Sequence, residues 1–226
     1  MYIRPIYMFD TKQSKQPNTV IKYNYLESPL YPNYKKNPAT DQYIEIPYLG
    51  NPSHPNLSLG TTLYNTSKIF IYGGKTHPIK DLDYDGELII EHSAITNWSG
   101  KTYTCIPLKT TNGIANTVID DIISITNRPV SLSINQLLQQ SANTKAIIYN
   151  DSGFFKSNNT VIVFLNPIHI TSSLAEFLAK PDALFSGFNS NYDIVNVLQG
   201  NMQKTGMNGE LRNGSGNDNT VGQFRE

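Results

Sequence analysis

The sequence predicts a mainly β fold with a few short helices, on three observations. From Leu57 onward, β-branched and aromatic runs of strand length recur, "TTLYNTSKIFIYGG", "GELIIEH" and "TYTCIPLK" among them, each bounded by Gly, Pro, Asn or Asp clusters. Residues 1 to 60 hold most of the prolines and tyrosines, and proline's fixed φ and missing N–H favour extended segments, edge strands and turns over helix. Helical spacing is confined to short stretches.

Taken in order, residues 13 to 56 read as a Pro/Tyr-rich arm wrapped on the domain, and residues 57 to 108 as a sheet. In "NTVIDDIISITN", Val118, Ile119, Ile122 and Ile123 fall on one helical face, and Asn127 to Pro129 close it. A second short helix is expected in "SINQLLQQS", capped by Ser133 with Ile134, Leu137 and Leu138 inward. The strands "TKAIIYND" and "NTVIVFLNPIHI" follow, then a helix in "TSSLAEFLAKP" capped by Thr171 or Ser172 and stopped before Pro181. Together these give one domain over 1–180. Residues 181–226 read as an extended Gly/Asn-rich tail, since most of that stretch has too few apolar residues to order itself.

Composition narrows the function classes. The formal net charge is zero and charged residues make up only 16%, so no long-range field draws the chain to nucleic acid or an anionic membrane. The opening "MYIRPIYMFDTKQSKQ" lacks the apolar stretch of a secretory signal, and the longest apolar run, "VIVFL", is strand-sized, so no membrane anchor is expected. Cys105 cannot form an intrachain disulfide; in an apolar strand it reads as a small hydrophobe, and becomes a nucleophile only with a His beside it in space.

Chemistry concentrates in "HPIKDLDYDGELIIEHS", which holds two histidines and two glutamates and resembles the rim of a metal site. Strand alternation puts Glu87, Ile89 and Glu91 on one face and Leu88, Ile90 and His92 on the other. His92 and His169 have no second His or Cys at metal spacing and read as structural, and His54 in "NPSHPN" has no assigned role.

The order of these segments resembles the alpha-class carbonic anhydrases, from about Tyr2 to Leu178. "RPIYMFDTK" is similar to that family's early Ser-Pro-Ile segment, and "IFIYGGKTHPIKDLDYDGELIIEH" to its two metal-bearing strands and their connecting loop. "YTCIPLK" resembles the neighbouring strand. "VSLSINQLLQQ", "AIIYNDSGFFKSNNTVIVFLNPIHI" and "TSSLAEFL" resemble its late turn, strands and helix. The resemblance implies a large, mostly antiparallel central sheet with a few short peripheral helices.

It also implies a zinc held by three histidines, two at i and i+2 before a Trp-Gly and one on a Glu-Leu-His strand. Matching Trp-Gly to Tyr72-Gly73 places the first two at Ile69 and Ile71 and the third at Ile89. Isoleucine has no lone pair, so no metal and no cofactor are expected. The family's threonine turn is replaced by "NDSGFFKSNNT". His77 and Glu87 correspond to the loop histidine and the bracing glutamate, so a structural His77–Glu87 pair is expected around an apolar plug. Burying each isoleucine would contribute ~1.5–3 kcal/mol.

Chains of this shortened type resemble proteins encoded by large nucleocytoplasmic DNA viruses. The implied role is a non-catalytic minor capsid protein, made in the host cytoplasm, that cements major capsid and other capsid proteins in the virion. The alternative is a virion-surface module for a glycan or host protein, although zero net charge disfavours a basic crevice for sulfates. A working enzyme ranks last. Tyr31, Tyr34, Tyr43 and Tyr48 are the candidate partner-binding residues; tyrosines in a Pro-rich segment serve equally as half-buried packing.

Overall fold

β-branched runs become strands wherever the sequence alternates or stays apolar. The computed structural model describes residues 20–25, 28–30, 33–37, 41–48, 54–77, 79, 81–95, 100–113, 117–124, 130–132, 134–139, 145–151, 159–171 and 192–199. Among these, in chain order, are β1 (Val20–Tyr23), β2 (Ser28–Leu30), β3 (Asn33–Asn37), β4 (Asp41–Pro47), β5 (Leu57–Leu59), β6 (Thr62–Gly73), β7 (Gly86–Ala94) and β8 (Lys101–Thr110). Then come α1 (Thr117–Ser124), β9 (Val130–Leu132), α2 (Ile134–Gln139), β10 (Lys145–Asp151), β11 (Asn159–Phe164), β12 (Ile168–Ile170) and β13 (Asp193–Gln199).

Strand pairing is mostly antiparallel, and the path β6-β7-β8-β11-β10-β13-β1-β5 returns to β6, so eight strands close on themselves. The pairs β1–β13, β8–β11 and β8–β12 are parallel. On the edge of β6 that also carries β5, β4 and then β3 continue the sheet, while β2 and β9 pair separately. Pro107 lies inside β8, where a missing N–H would ordinarily break a ladder. It is tolerated because β11 pairs with Thr102–Cys105 and β12 with Leu108–Thr110, leaving its own stretch of that edge between them.

Two apolar layers flank the sheet. The larger contains Ile21, Ile44, Ile46, Ile69, Ile71, Leu88, Ile90, Ile106 and Leu108, covered by Ile119, Ile122 and Ile123 of α1 and by Ile134, Leu137 and Leu138 of α2. Both helices therefore bury the faces their spacing predicts. Asp120 ties α1 to the end of β12 by accepting from the Thr171 N–H at 3.1 Å. Asn135 of α2 clamps the residue pair after β1, accepting from the Tyr25 N–H at 2.8 Å and donating to the Tyr25 carbonyl at 2.8 Å. The smaller layer holds Tyr72, Ile79, Ile89, Tyr103, Cys105, Ile147, Tyr149, Val161, Val163 and Ile194.

A β-bulge in β6 decides which residues enter which layer. Thr66 pairs with His92 and Lys68 with Glu91, so Ser67 is the extra residue and the alternation changes parity across it. Before the bulge, Tyr64 and Thr66 side with His92. After it, Phe70 and Tyr72 side with Ile89 and Glu87, and Ile69 and Ile71 point into the larger layer.

Two expectations of domain organisation need correction. The stretch 13–56 is not an arm wrapped on a finished domain: β1 sits between β13 and β5, and Ile21, Ile44 and Ile46 are fully buried. Nor is the expected tail of 181–226 all extended chain, because within it β13 runs between β10 and β1 with Ile194, Val195 and Val197 buried. The average polarity of that region hid a short β-branched run. Residues 200–226 and the expected helix in "TSSLAEFLAKP" lie outside the described residues.

His92 is buried against the larger layer. Its Nδ1–H donates to the Thr102 carbonyl at 3.1 Å, and Nε2 accepts from the Tyr25 hydroxyl at 3.0 Å, which sets the neutral tautomer. Burial lowers its pKa from 6.5 to about 4. The unfolded chain therefore binds more protons between these values, so stability is present above pH 6.5 and is lost as pH falls towards 4. The loss should be about 3 kcal/mol. Urea unfolding at pH 7 and pH 4 should show this drop in the native chain and a drop smaller by about that amount in His92→Gln.

The β5–β6 hairpin supplies a second expectation. Leu59 pairs with Thr62, leaving a two-residue loop whose first position, Gly60, has φ 59°. An added Cβ at Gly60 meets nothing within 4 Å, so Gly60→Ala is resisted by backbone conformation alone. It should cost about 1 kcal/mol in urea unfolding.

Candidate functional site

Glu87 is brought into the smaller layer by the alternation of β7, and a carboxylate buried there must be paired. The loop joining β6 and β7 supplies the partners. Gly74, at φ 79°, turns the chain, and its N–H donates to the Asp85 carbonyl at 2.6 Å, closing the loop. Thr76 and His77 are thereby placed over Glu87. Oε1 accepts from the Thr76 N–H at 3.2 Å, the His77 N–H at 3.1 Å and the Tyr84 hydroxyl at 2.6 Å. Oε2 accepts from the Thr76 hydroxyl and lies 2.9 Å from His77 Nδ1. On the other side of the ring, His77 Nε2 shares a hydrogen bond with the Tyr149 hydroxyl at 2.9 Å.

The electrostatics follow from this crowding. Burial pushes the Glu87 carboxyl up, but His77 and the hydrogen bonds from His77, Thr76 and Tyr84 more than offset it, and its pKa is lowered. Burial and the adjacent Glu87 charge raise the Tyr84 phenol. The same two causes push the Cys105 thiol well up. Burial, then Cys105, raises Tyr149 well above its ordinary value.

A ring nitrogen of His77, a carboxylate oxygen of Glu87 and Cys105 Sγ all lie within 4.8 Å of one another, and the three residues are fully buried. The histidine beside Cys105 that sequence could not show is therefore present. The thiol is nonetheless protonated and closed to solvent, which does not suit a thiolate nucleophile.

The expected His77–Glu87 pair is in place, whereas the expected grouping of Ile69, Ile71 and Ile89 is not. Ile89 lies in the smaller layer, but Ile69 and Ile71 face the opposite way, towards α1 and α2. Across the sheet, Ile89 pairs with Phe70 and Glu87 with Tyr72. The expectation that set these three residues together assumed one unbroken alternation, whereas Ile69 and Ile71 share a face with Leu88 and Ile90. A one-residue slip inverts every side chain of a strand.

Phe70 and Tyr72 belong to a stacked row. Tyr43 lies 5.1 Å from Tyr72, and Phe70 6.1 Å from Tyr72, between ring centroids. Tyr43 and Phe70 are half-buried, and Lys68 meets Glu45 at 3.6 Å beside them. Further along, Glu91 accepts from the Ser67 hydroxyl at 2.7 Å and Lys101 at 3.2 Å. Of the two candidate partner-binding tyrosines whose side chains are described, Tyr43 is half-exposed on this face. Tyr48 is buried in the larger layer, a correction to its expected role, since alternation in β4 continues Ile44 and Ile46 into the core. Tyr31 lies outside the described residues, as does the side chain of Tyr34 on β3.

Sequence reasoning did not group Thr76, Tyr84, Cys105 and Tyr149 with the pair. Tyr84 had a local signal, three residues before Glu87 in "YDGE". Cys105 and Tyr149 come from other strands, and only the register, Ile89↔Cys105 on β8 and Tyr149↔Val161 on β10, brings them in. His92 lies on the opposite layer, and His54 and His169 are exposed.

No protein-family model and no curated protein matches the chain. Solved structures do. A fungal alpha carbonic anhydrase from Aspergillus oryzae is similar at TM-score 0.59 with 10% identity, over 78% of this chain and 79% of that one. A hyperthermostable carbonic anhydrase from an active hydrothermal vent chimney is similar at TM-score 0.57 with 14% identity, over 86% of each chain. Dioscorin, solved in complex with ascorbate, is similar at TM-score 0.52 with 14% identity, over 88% and 87%. The chain has the carbonic-anhydrase-like fold, with its mostly antiparallel sheet and few short helices.

Proposed function

We propose that this chain is a non-catalytic structural protein, a minor capsid protein cementing the major capsid protein in the virion of a large icosahedral DNA virus. The observation that carries the non-catalytic part is the content of the face that would hold zinc. Its cross-strand pairs offer Phe70, Tyr72 and Ile89 around Glu87. Phenylalanine and isoleucine have no lone pair, and burial raises the Tyr72 phenol, keeping its proton on. His77 is the histidine of this layer and is engaged by Glu87 and Tyr149. These residues do not fit a zinc held by three imidazoles.

The virion setting is supported by the resemblance to proteins of large nucleocytoplasmic DNA viruses. A sheet whose former cleft is core has surface left for contacts, and the partners proposed are the major capsid protein and other capsid proteins. Among the described residues no helix is long and apolar enough to cross a membrane. The stacked row of Tyr43, Tyr72 and Phe70, edged by Glu45 and Lys68, favours a second reading, a surface for a glycan or host protein: amphipathic rings beside hydrogen-bonding groups suit either.

Two measurements test the proposal. Quantitative mass spectrometry of purified particles through a detergent and salt wash series should keep this chain at a fixed ratio to the major capsid protein; loss on washing moves the role to the glycan or host-protein reading. Purified protein should not accelerate CO2 hydration above buffer, and a chelator-sensitive acceleration would overturn the non-catalytic reading.

A further inference from the structure

We propose that His77, Glu87 and Cys105 form a buried structural site for a zinc-class divalent cation, which staples the β6–β7 loop to β7 and β8. The site is independent of the catalytic question, since it uses none of Phe70, Tyr72 or Ile89. Its donors are an imidazole nitrogen, a carboxylate oxygen and a sulfur, all within 4.8 Å of one another. Zinc bonds of about 2.0–2.3 Å space tetrahedral donors roughly 3.5 Å apart, so the widest pair must close by about an ångström. The sulfur selects against magnesium and calcium, which take oxygen donors.

Complete burial disqualifies Cys105 as a nucleophile, yet it suits a structural site, because the packed lining keeps bulk water from an ion whose three protein donors leave one tetrahedral position to a further ligand. The surrounding groups already hold the donors in place. Glu87 Oε1 is fixed by the N–H groups of Thr76 and His77 and by the Tyr84 hydroxyl, and Oε2, which accepts from the Thr76 hydroxyl, is turned to His77 Nδ1. Tyr149 fixes His77 through Nε2. Such outer partners orient metal ligands. The arrangement that disturbs least has the ion take Nδ1, Oε2 and Sγ as thiolate, with the ring proton carried on Nε2 and donated to the Tyr149 hydroxyl. The thiol proton leaves as the ion binds, so affinity rises with pH.

The test uses the full chain, stripped with a chelator and titrated with Co2+. The expected result is one equivalent bound, with tetrahedral visible bands and a thiolate-to-cobalt charge-transfer band in the near ultraviolet. Zn2+ should displace it, and Cys105→Ala should lose the charge-transfer band and bind at least about tenfold more weakly. Because Cys105 is the sole cysteine, a second measurement needs no variant: Zn2+ should slow its reaction with a disulfide reagent at least about tenfold and raise the unfolding midpoint. Visible bands without a thiolate band, or a midpoint and thiol reactivity unchanged by Zn2+, would overturn the site.

Discussion

A carboxylate sealed in a protein interior has to be answered by donors, and Glu87 is answered by five, from Thr76, His77 and Tyr84. That requirement shapes its surroundings. The β6–β7 loop must bring the Thr76 and His77 backbone inward, Tyr84 must turn its hydroxyl to the same oxygen, and His77 must be braced from behind by Tyr149 on β10. Removing any one donor leaves part of a buried charge unsatisfied, which costs more than the hydrogen bond itself contributes. The cluster thus couples a loop to the three strands β7, β8 and β10.

The second determinant is the parity change at Ser67. Without it, Tyr64 and Phe70 would face the same layer, and the apolar Ile69 and Ile71 could not both pack beneath α1 and α2 while Phe70 and Tyr72 joined Tyr43. The bulge also aims the Ser67 hydroxyl at Glu91, so the half-buried acid at the outer end of the face is paired by Ser67 and Lys101. Between Glu91 and Glu87 the face is filled with Ile89, Tyr103 and Cys105.

Much of this was legible in the residues. The β-branched runs marked β6, β7, β8, β10 and β11, the helical spacing marked α1 and α2, and alternation in "GELIIEH" correctly divided Glu87 and Ile89 from Leu88 and His92. The faces of β6 were not legible, because a bulge leaves no composition signal and strict alternation carries the wrong parity past it. β13 was hidden because seven strand residues sat in a polar, Asn-rich region, and its partners β1 and β10 lie far away in sequence. Cys105 and Tyr149 reach His77 only through strand register, a long-range property. The reading of residues 13–56 as an arm failed for a related reason: proline and tyrosine content predicted extended chain, but could not tell an outer wrap from strands that close the sheet.

The most direct measurement is the unfolding free energy of Glu87→Gln against the native chain, by urea at neutral pH. If the buried carboxylate organises the site, replacing it leaves its donors facing a neutral amide, and the expected loss is about 3–5 kcal/mol. A loss below about 0.5 kcal/mol, the size of an ordinary surface substitution, would contradict that central role.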